Sequence, residues 1–413
     1  MIRILYLLGL IYLCSCHSGR MSNNHFSFPP QWEPQESVWL GWSTSPSVQQ
    51  LHLQMVKAIH PHVGITILAR SDSLLKEALI QLHATSVDTS SIKGYVHYIP
   101  NLFIRDAGPR FLKNQKGKLA IADFGWNNYG YPPEFEIFQH SDKRGDIDND
   151  LAKQINVDVI STPVIAEGGG LDVSNHAIIS FKETALQRNP DFSLAEIEKE
   201  YLRLYGKQKV IWLNKMPVMD KVVAGPKAGN YFGYGANGHI DEFVRFVNDS
   251  TILISQIDFN EKDLDPVSKV DYEIMKENLE ILKKEKDING NPYNIVILPA
   301  PSYSFYVEKQ IINDTVINEP NGKAFFKHLH IGDEIYWLPA VSYANFFITN
   351  NVVLLAKYWQ EGLPDSERLK DEKAKQILQD AFPGRTIIQL NPMALNRNGG
   401  GMNCATQQQP KIK

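Results

Sequence analysis

The sequence predicts a single α/β domain. From about residue 28 to the C-terminus, short extended runs alternate with helical patterns, and loops rich in Gly, Pro and Asn separate them. Hydrophobic residues make up 43% of the 413-residue chain and charged residues 21%, which is the balance of a globular protein with a substantial core. No Pro- or Ser-rich linker divides the chain, so we expect one domain rather than several.

Hydrophobic spacing indicates the elements in chain order. The helical stretches are residues 48–60, 73–83, 193–205, 266–286 and 366–381. The extended stretches are residues 65–68, 119–124, 177–180, 210–213, 251–257, 294–298, 345–349, 352–355 and 386–389. The third helix has the clearest start, because Glu196 follows Ser193 by three residues, the pattern of a capping box. Four or five rounds of strands plus a helix can therefore be expected.

A separate segment opens the chain. Residues 4–13 form an apolar run that is too short to span a bilayer, and it follows a positively charged start. The sequence LCSC that ends at Cys16 resembles a bacterial lipobox. We therefore expect residues 1–20 to be a leader, residues 21–27 a polar tether and residues 28–413 the folded domain. A lipid on Cys16 would place the protein in the periplasm or on the cell surface, and a secretory signal without lipid is the alternative.

Charge and cysteine usage narrow the function. The formal net charge of -4 at pH 7 argues against nucleic acid as the main partner. With Cys14 and Cys16 in the leader, Cys404 is the lone cysteine of the domain, so no internal disulfide is expected. A lone cysteine is often a small buried hydrophobe, but Cys404 follows three glycines and stands among amide side chains that are poor core material. This setting favours a reactive thiol.

Three further segments place acids or a histidine beside glycine. Asp106 follows Arg105 just before a Gly-Pro turn, and Glu167 precedes three glycines. His239 and Asp241 stand two residues apart, which points both side chains to one face if the segment is extended. Taken singly, each segment also has a structural explanation, such as a surface ion pair or a loop carboxylate.

Together the four segments suit one chemistry. A thiol needs a nearby base or cation to become a thiolate, and His239 can supply it. The carboxylates of Asp106 and Asp241 match the paired N–H donors of a guanidinium group. Glu167 can orient His239 and hold it protonated for donation to departing ammonia. We expect no metal, because no HExxH or CxxC pattern is present.

The sequence resembles the agmatine deiminase and bacterial peptidylarginine deiminase family, within the guanidino-group-modifying superfamily. The motifs behind this resemblance are FPPQWEPQESVW at 28–39, IRDAGP at 104–109, EGG at 167–169, QRNP at 187–190, GHIDEF at 238–243, SYANFFI at 342–348 and GGGMNCATQQ at 399–408. The resemblance implies a five-fold pseudosymmetric α/β propeller (pentein fold) of ββαβ-type modules. It also implies hydrolysis of a guanidinium to a ureido group with loss of ammonia, through a covalent thiouronium intermediate and without a metal or organic cofactor.

The same resemblance implies roles for individual residues. Cys404 matches the nucleophile, His239 the general acid/base and Glu167 the residue that orients the histidine. Asp106 and Asp241 match the acids that bind the guanidinium. Further substrate contacts are expected from Phe103, Trp126 and Asn345.

The resemblance is divided on the substrate, a small guanidino compound or an arginine side chain. Segment 123–130 (DFGWNNYG) is similar to the agmatine branch, and Asn127 and Asn128 stand where the peptidylarginine branch has carboxylate-binding arginines. This favours agmatine, with N-carbamoylputrescine as the product and putrescine biosynthesis as the context. Phe103, the long stretch 303–337 and the exported location favour peptidyl or free arginine, which would yield citrulline. An amidinotransferase, a cysteine peptidase and a non-catalytic guanidine-binding lipoprotein remain as alternatives.

Overall fold

Helices and strands alternate along the structure, a computed structural model that describes residues 25–98, 102–131, 143–221, 227–319 and 322–412. This alternation confirms the predicted α/β class. The predicted leader and residues 21–24 of the predicted tether lie outside the described residues. Within that tether, Ser27 exchanges two backbone hydrogen bonds of 2.9 Å with Lys113, and Phe26 packs against a core cluster. None of the helices described here has the length and apolar character needed to cross a membrane.

The N-terminal half contains three groups of strands and helices. The first group comprises β1 (Gln35–Gly41), α1 (Pro46–Ile59), β2 (Gly64–Ala69), α2 (Asp72–Ala84) and β3 (Lys93–Val96). The second comprises α3 (Ile104–Ala107), β4 (Arg110–Lys113), β5 (Leu119–Gly125), α4 (Ile147–Ile155) and β6 (Asp158–Ile165). The third comprises β7 (Asp172–Val173), β8 (Ala177–Phe181), α5 (Lys182–Arg188), α6 (Leu194–Tyr205) and β9 (Lys209–Leu213).

The C-terminal half contains two more such groups and one inserted sheet. The fourth group comprises β10 (Tyr231–Phe232), β11 (Val244–Asn248), β12 (Thr251–Gln256), α7 (Pro266–Leu282) and β13 (Asn294–Pro299). The next stretch comprises β14 (Glu308–Ile311), α8 (Asp314–Asn318), α9 (Gly322–Phe325) and β15 (Glu334–Trp337). The chain ends with β16 (Phe347–Ile348), β17 (Val352–Ala356), α10 (Asp365–Ala381), β18 (Thr386–Leu390), α11 (Met393–Asn396) and β19 (Thr406–Pro410).

Five of the sheets follow one pattern, in which a strand has an antiparallel partner on one side and, on the other side, the next strand along the chain as a parallel partner. Their orders are β4-β5-β6, β7-β8-β9, β11-β12-β13, β16-β17-β18 and β19-β1-β2-β3. Each parallel pair is joined through a helix, because parallel neighbours require a crossover connection. In the sixth sheet, β10-β15-β14, the strands β14 and β15 come from the long stretch 303–337 and β10 from residues 231–232 earlier in the chain.

The last strand of the chain pairs with the first. β19 runs antiparallel to β1, with Thr406 opposite Leu40 and Pro410 opposite Gln35. This pairing places Cys404 directly before an anchored strand. The sequence TQQQP did not predict a strand because it lacks alternating apolar residues. Its polar side chains are nevertheless buried, and the side-chain oxygen of Gln408 accepts a hydrogen bond of 2.9 Å from Arg105.

Most predicted elements are present, with shifted ends. The capping box at Ser193 and Glu196 is formed as predicted and starts α6. The predicted helix 266–286 ends at Leu282, and the predicted strand 345–349 shrinks to Phe347–Ile348. Asn345 lies outside the strand and hydrogen-bonds to the cysteine segment through both its backbone carbonyl and its side chain.

Apolar residues from the sheets and helices form the core. Residues of β1, β2, α1 and α2 share one buried cluster with residues of β17. Val38, Val56, Ile67 and Leu354 belong to this cluster and are fully buried. Burial of such aliphatic side chains stabilises the fold by about 1.5–3 kcal/mol each. The N-terminal and C-terminal parts of the chain are therefore held in one hydrophobic core, which keeps the loops between them in fixed positions.

Candidate active site

Short loops next to the strands carry the predicted site residues. Asp106 lies in the one-turn helix α3, Glu167 precedes a 3-10 turn of glycines (Gly168–Gly170), and His239 precedes another at Ile240–Glu242. The backbone N–H of Arg105 donates to the Cys404 carbonyl at 3.2 Å, which joins α3 to the cysteine segment. All of these loops meet in one buried region.

Gly169 marks the point where the acids and the histidine converge. A methyl group placed on Gly169 would lie 2.5 Å from His239 Nδ1, and 3.1 Å from both Asp106 Oδ1 and Asp241 Oδ1. The carboxylates of Asp106 and Asp241 therefore face a common point, although 135 positions in the sequence separate them. Only glycine at position 169 leaves this point free, which explains the middle glycine of the three that follow Glu167.

Asp106 is fixed by three neighbours. Its Oδ1 accepts the Gly169 N–H at 3.0 Å and lies 3.6 Å from His239 Nδ1, while its Oδ2 accepts the Tyr129 hydroxyl at 3.0 Å. Burial raises the pKa of Asp106 to about 6, and the nearby His239 opposes that rise. The carboxylate is thus oriented and available to bind a cation near neutral pH.

His239 lies between two acids. Its Nδ1 is 3.6 Å from Asp106 Oδ1 and its Nε2 is 3.5 Å from Glu167 Oε2. Burial alone would lower the pKa of His239, but Asp106 and Glu167 outweigh it and raise the pKa to about 9. His239 is therefore an imidazolium at neutral pH. This charge state fits the predicted proton donation to ammonia but not a role as the base that deprotonates the thiol.

Arg188 supports the histidine from behind, and sequence reasoning gave it no role. Its Nε donates to Glu167 Oε1 at 2.9 Å, and its Nη2 donates to the carbonyls of Ala236 and Asn237 at 3.0 and 3.1 Å. Burial would raise the pKa of Glu167, but Arg188 and His239 together lower it to about 2. Glu167 is therefore always ionised. Arg188 stands in the QRNP motif, which is the only sequence signal that singled it out.

Cys404 is 1% exposed and has three polar neighbours. Asn345 Nδ2 donates to Sγ at 3.2 Å, Glu242 Oε1 lies 3.7 Å from Sγ, and Asp241 Oδ2 lies 3.8 Å from it. Asn403 donates to the same oxygen of Asp241 at 2.6 Å. Burial, followed by the charges of Asp241 and Glu242, raises the pKa of the thiol well above its usual value.

The expected geometry of the His239–Asp241 segment was wrong. Residues Ile240–Glu242 form a 3-10 turn, and the extended strand starts only at Val244. Both side chains still face the site, but His239 contacts the acids and Asp241 contacts the thiol. The turn also brings in Glu242, which the two-residue spacing did not suggest.

A cavity of about 290 Å³ opens onto the thiol. Its walls include Phe103, Asp106, Tyr129 and Cys404. Phe103 thus lies where a substrate contact was expected. The aromatic wall continues to the inserted sheet, because the cavity-lining Tyr234 stacks on a tryptophan of β15 with ring centroids 5.5 Å apart.

Three predicted substrate contacts, Asp241, Trp126 and Asn345, are not among the described residues that line this cavity. Trp126 packs edge-on against Tyr129 with ring centroids 5.1 Å apart, so it supports the wall rather than forming it. Asn345 holds the cysteine segment, since its Oδ1 accepts the Asn403 N–H at 2.8 Å and its Nδ2 donates to Sγ. In the structure both side chains have these supporting contacts, and their contact with substrate stays a prediction.

Asp241, Glu242 and Cys404 offer ligand atoms within 4.8 Å of one another. However, the amide of Asn403 donates to the Asp241 carboxylate and the amide of Asn345 donates to the Glu242 carboxylate. These N–H groups present positive charge where a metal ion would stand. We therefore assign no metal to this group.

Comparison with known proteins places this geometry in a family. A relative from Streptomyces coelicolor, named "Putative agmatine deiminase", is 25% identical over 399 residues, which cover 94% of this chain and 99% of the relative. The solved agmatine deiminase of Enterococcus faecalis matches with a TM-score of 0.69 and 23% identity, over 94% of this chain and 97% of that one.

A second solved structure, a C. jejuni agmatine deiminase variant with substrate bound, matches with a TM-score of 0.67 and 19% identity. It covers 94% of this chain and 97% of its own. At these identities the solved structures establish a shared fold. A family model described as Porphyromonas-type peptidyl-arginine deiminase matches residues 27–410, nearly the whole chain. The chain therefore belongs to the Porphyromonas-type peptidyl-arginine deiminase family.

Proposed function

We propose that this chain is a hydrolytic deiminase, which converts a guanidinium group into a ureido group and releases ammonia. One observation carries the proposal: Cys404 and the Asp106 carboxylate line one cavity, with the imidazolium of His239 3.6 Å from Asp106 and the Asp241 carboxylate 3.8 Å from Sγ directly behind them. Two carboxylates bind a planar cation through its paired N–H groups, and a thiol beneath the cation can attack its carbon. The relatives named agmatine deiminase support the same chemistry.

The reaction follows from these positions. The Cys404 thiol gives its proton to a carboxylate in contact with Sγ, the thiolate forms a bond to the guanidinium carbon, and His239 gives its proton to one amino group of the resulting tetrahedral adduct. The C–N bond then breaks, ammonia leaves and an amidino-thioether remains on Cys404. A water molecule attacks that carbon while neutral His239 takes a proton from it. The C–S bond breaks, the ureido product leaves and His239 is again an imidazolium.

Agmatine is the first substrate to test, as the relatives' names indicate. Asn127 and Asn128 form part of a turn rather than a charged pocket: Asn127 accepts the Gly130 N–H, and Asn128 accepts the Trp126 ring N–H. With agmatine the products are N-carbamoylputrescine and ammonia, which would fit putrescine biosynthesis.

A second candidate is arginine with a free carboxylate, either as the amino acid or at a peptide C-terminus. Arg144 and Arg397 both line the cavity that contains Cys404, and Asp106 is the only carboxylate among the described lining residues. Arg144 lies over the rings of Trp126 and Tyr129, and Arg397 is paired with a glutamate of β14. A guanidinium at the mouth attracts a carboxylate and repels the ammonium of agmatine. The product would then be citrulline.

One panel separates these candidates. Ammonia and ureido product are measured with agmatine, arginine, arginine methyl ester, and peptides with internal or C-terminal arginine. A preference for agmatine over all others supports the first candidate, and loss of activity on esterifying arginine supports the second. Ornithine or glycine added to the assay tests the amidinotransferase alternative, and new peptide termini would indicate a peptidase. Absence of ureido product with every compound, despite measurable binding, would favour a guanidine-binding protein and contradict the deiminase proposal.

The arrangement of the sheets and the location of the protein are further proposals. The five sheets of one pattern would stand around a pseudo-five-fold axis, which superposition of the five sheets on one another in an experimental structure tests. Residues 1–20 would act as a leader, residues 21–27 as a tether and Cys16 as the lipidated residue, exposing the domain in the periplasm or on the cell surface. Incorporation of labelled fatty acid that Cys16→Ala eliminates would support the lipoprotein, and incorporation unaffected by Cys16→Ala would contradict it.

A further inference from the structure

Glu242 is a buried carboxyl group beside the proposed nucleophile, and the mechanism above assigns it no specific role. It is 1% exposed and is not among the residues that line the cavity. Its Oε1 lies 3.7 Å from Cys404 Sγ. Asn345 Nδ2 donates both to this oxygen at 3.0 Å and to Sγ at 3.2 Å. The amide thus holds the carboxyl and the thiol side by side.

The surroundings of Glu242 favour the binding of a proton by the pair that its carboxyl group forms with the Cys404 thiol. Oε2 of Glu242 is buried and has no hydrogen-bond partner among the described residues. Among the described residues, no basic side chain lies within 4 Å of the Glu242 carboxyl group, so Glu242 has no ion pair there. The charged groups that act on it are Asp241, Asp220 and Asp106, and all of them are acids. Burial and these acids raise the pKa of Glu242 well above its usual value, so its carboxylate has a high affinity for a proton.

The other groups near the thiol are less suited to take its proton. His239 is held as an imidazolium by Asp106 and Glu167, and no hydrogen bond joins it to Sγ in the described structure. Asp241 Oδ2 already accepts a short hydrogen bond of 2.6 Å from Asn403, and the proposed function assigns this carboxylate to the guanidinium. Glu242 is the remaining acceptor in contact with Sγ, on the side of the thiol away from the cavity.

We propose that Glu242 accepts the proton of the Cys404 thiol, so that the two side chains share one proton and one negative charge when the guanidinium is bound. The S–H bond breaks, the proton moves to Oε1 of the Glu242 carboxylate, and the thiolate attacks the substrate carbon. When hydrolysis expels the thiolate, the proton returns from Glu242 to Sγ. The positive charge of the substrate favours the state with a single proton. This inference rests on the proposed deiminase function.

Alkylation of Cys404 tests the proposal without turnover. The full chain is treated with chloroacetamidine, a planar cation with an electrophilic carbon, and with the neutral iodoacetamide. The modified Cys404 peptide is quantified by mass spectrometry, which separates it from the leader cysteines. In the parent, a plot of the alkylation rate with chloroacetamidine against pH should contain a plateau. Across this pH range Cys404 and Glu242 share one proton, so the fraction of thiolate does not change. In Glu242→Gln, which keeps an oxygen for Asn345, the rate should fall about tenfold or more at pH 7 and rise about tenfold per pH unit.

Two controls give the result its meaning. Glu367→Gln removes another fully buried carboxyl, which bonds to Ser302 and Tyr306, and it should leave the alkylation profile of the parent unchanged. Circular dichroism establishes that each variant is folded. If Glu242→Gln does not fold, Glu242→Asp replaces it in the test. We expect Glu242→Asp to be alkylated more slowly than the parent and to keep the plateau in the pH profile. An unchanged profile in Glu242→Gln would overturn the proposal. So would faster alkylation, because Glu242 would then merely repel the thiolate. A chain that fails to deiminate any guanidine but shows the predicted alkylation would refute the proposed function and leave the shared proton intact.

Discussion

The charge of His239 gives the sharpest quantitative prediction. Burial alone would lower the pKa of this side chain below 6.5, but the charges of Asp106 and Glu167 outweigh burial and raise the pKa to about 9. A difference of this size between folded and unfolded chains corresponds to about 3 kcal/mol of stability. Because the folded pKa is the higher one, this stabilisation is complete below pH 6.5 and is lost as the pH rises through 9.

Glu167→Gln should remove a large part of this effect. Gln cannot supply the negative charge that lies 3.5 Å from Nε2, so the pKa of His239 should fall by at least about one, which is about 1.4 kcal/mol. The double variant Arg188→Met/Glu167→Gln should show the same fall, since it removes the carboxylate together with the cation that balances it. The imidazole is followed by NMR in protein with labelled histidine, and its resonance is identified by its absence in His239→Gln.

Stability measurements give an independent check. Urea unfolding midpoints between pH 6.5 and 9 should decline less in Glu167→Gln than in the parent. The difference between the two proteins is the relevant quantity, because Lys207 and Lys227, whose pKa values burial lowers to about 7 and 8, titrate in the same range. Glu372→Gln, which breaks an exposed ion pair with Arg368, should behave like the parent. A His239 pKa near 9 in both Glu167 variants would refute the electrostatic reasoning.

Three further substitutions test the remaining parts of the site. Cys404→Ser should abolish ammonia release while equilibrium dialysis still detects substrate binding, and full turnover would exclude the covalent route. Asp106→Asn should weaken binding of the guanidinium by about 1.5–3 kcal/mol, because one charge-assisted hydrogen bond is lost, and an unchanged affinity would contradict its assignment. Arg188→Met leaves Glu167 ionised and buried, so urea unfolding should show a loss of about 3–5 kcal/mol. The matched loss for the exposed Arg368→Met is about 1 kcal/mol or less, and equal losses would refute the buried pair.

The sequence located the acids, the histidine and the cysteine because each stands in a short polar segment beside glycine. The structure brings Asp106, Glu167, His239, Asp241 and Cys404 into one region, as the resemblance implied. What local patterns could not predict are the partners fixed by tertiary contacts. The pairing of Arg188 with Glu167 spans 21 residues, and a buried arginine on a helix resembles a surface arginine in sequence. The approach of residue 242 to the thiol required the 3-10 turn, which the extended interpretation excluded.

The same limit applies to the residues of the cavity wall. Sequence similarity of segment 123–130 suggested that Trp126 contacts the substrate, but the turn at Asn127 places Tyr129 in the cavity instead. The backbone of Tyr129 has a positive φ of 55°, which few residues other than glycine adopt. The amino-acid sequence of this turn therefore does not indicate its conformation. Arg144 reaches the same cavity from a segment more than ten residues away. The residues that line this cavity therefore come from separate segments of the chain and not from one motif.

The balance of charges around the thiol predicts a conflict between stability and binding at Asp241. Arg188 neutralises Glu167 and His239 neutralises Asp106, whereas Asp241 accepts one amide hydrogen bond and has no ion pair within 4 Å in the described structure. Its Oδ1 is buried without a partner there. Arg105 and His239 act on this buried carboxylate through their charges but do not pair with it directly, so a bound guanidinium would add the direct partner that the empty protein lacks.

Asp241→Asn should therefore raise the melting temperature of the empty protein. An asparagine oxygen can still accept from Asn403, so the loop keeps its hydrogen bond. The same variant should lose most of the stabilisation that a guanidine ligand gives the parent, because binding no longer neutralises a buried charge. Thermal unfolding with and without agmatine or arginine, for parent and variant, measures both effects. A lower melting temperature for the empty variant, or ligand stabilisation equal to that of the parent, would show that another group holds the cation.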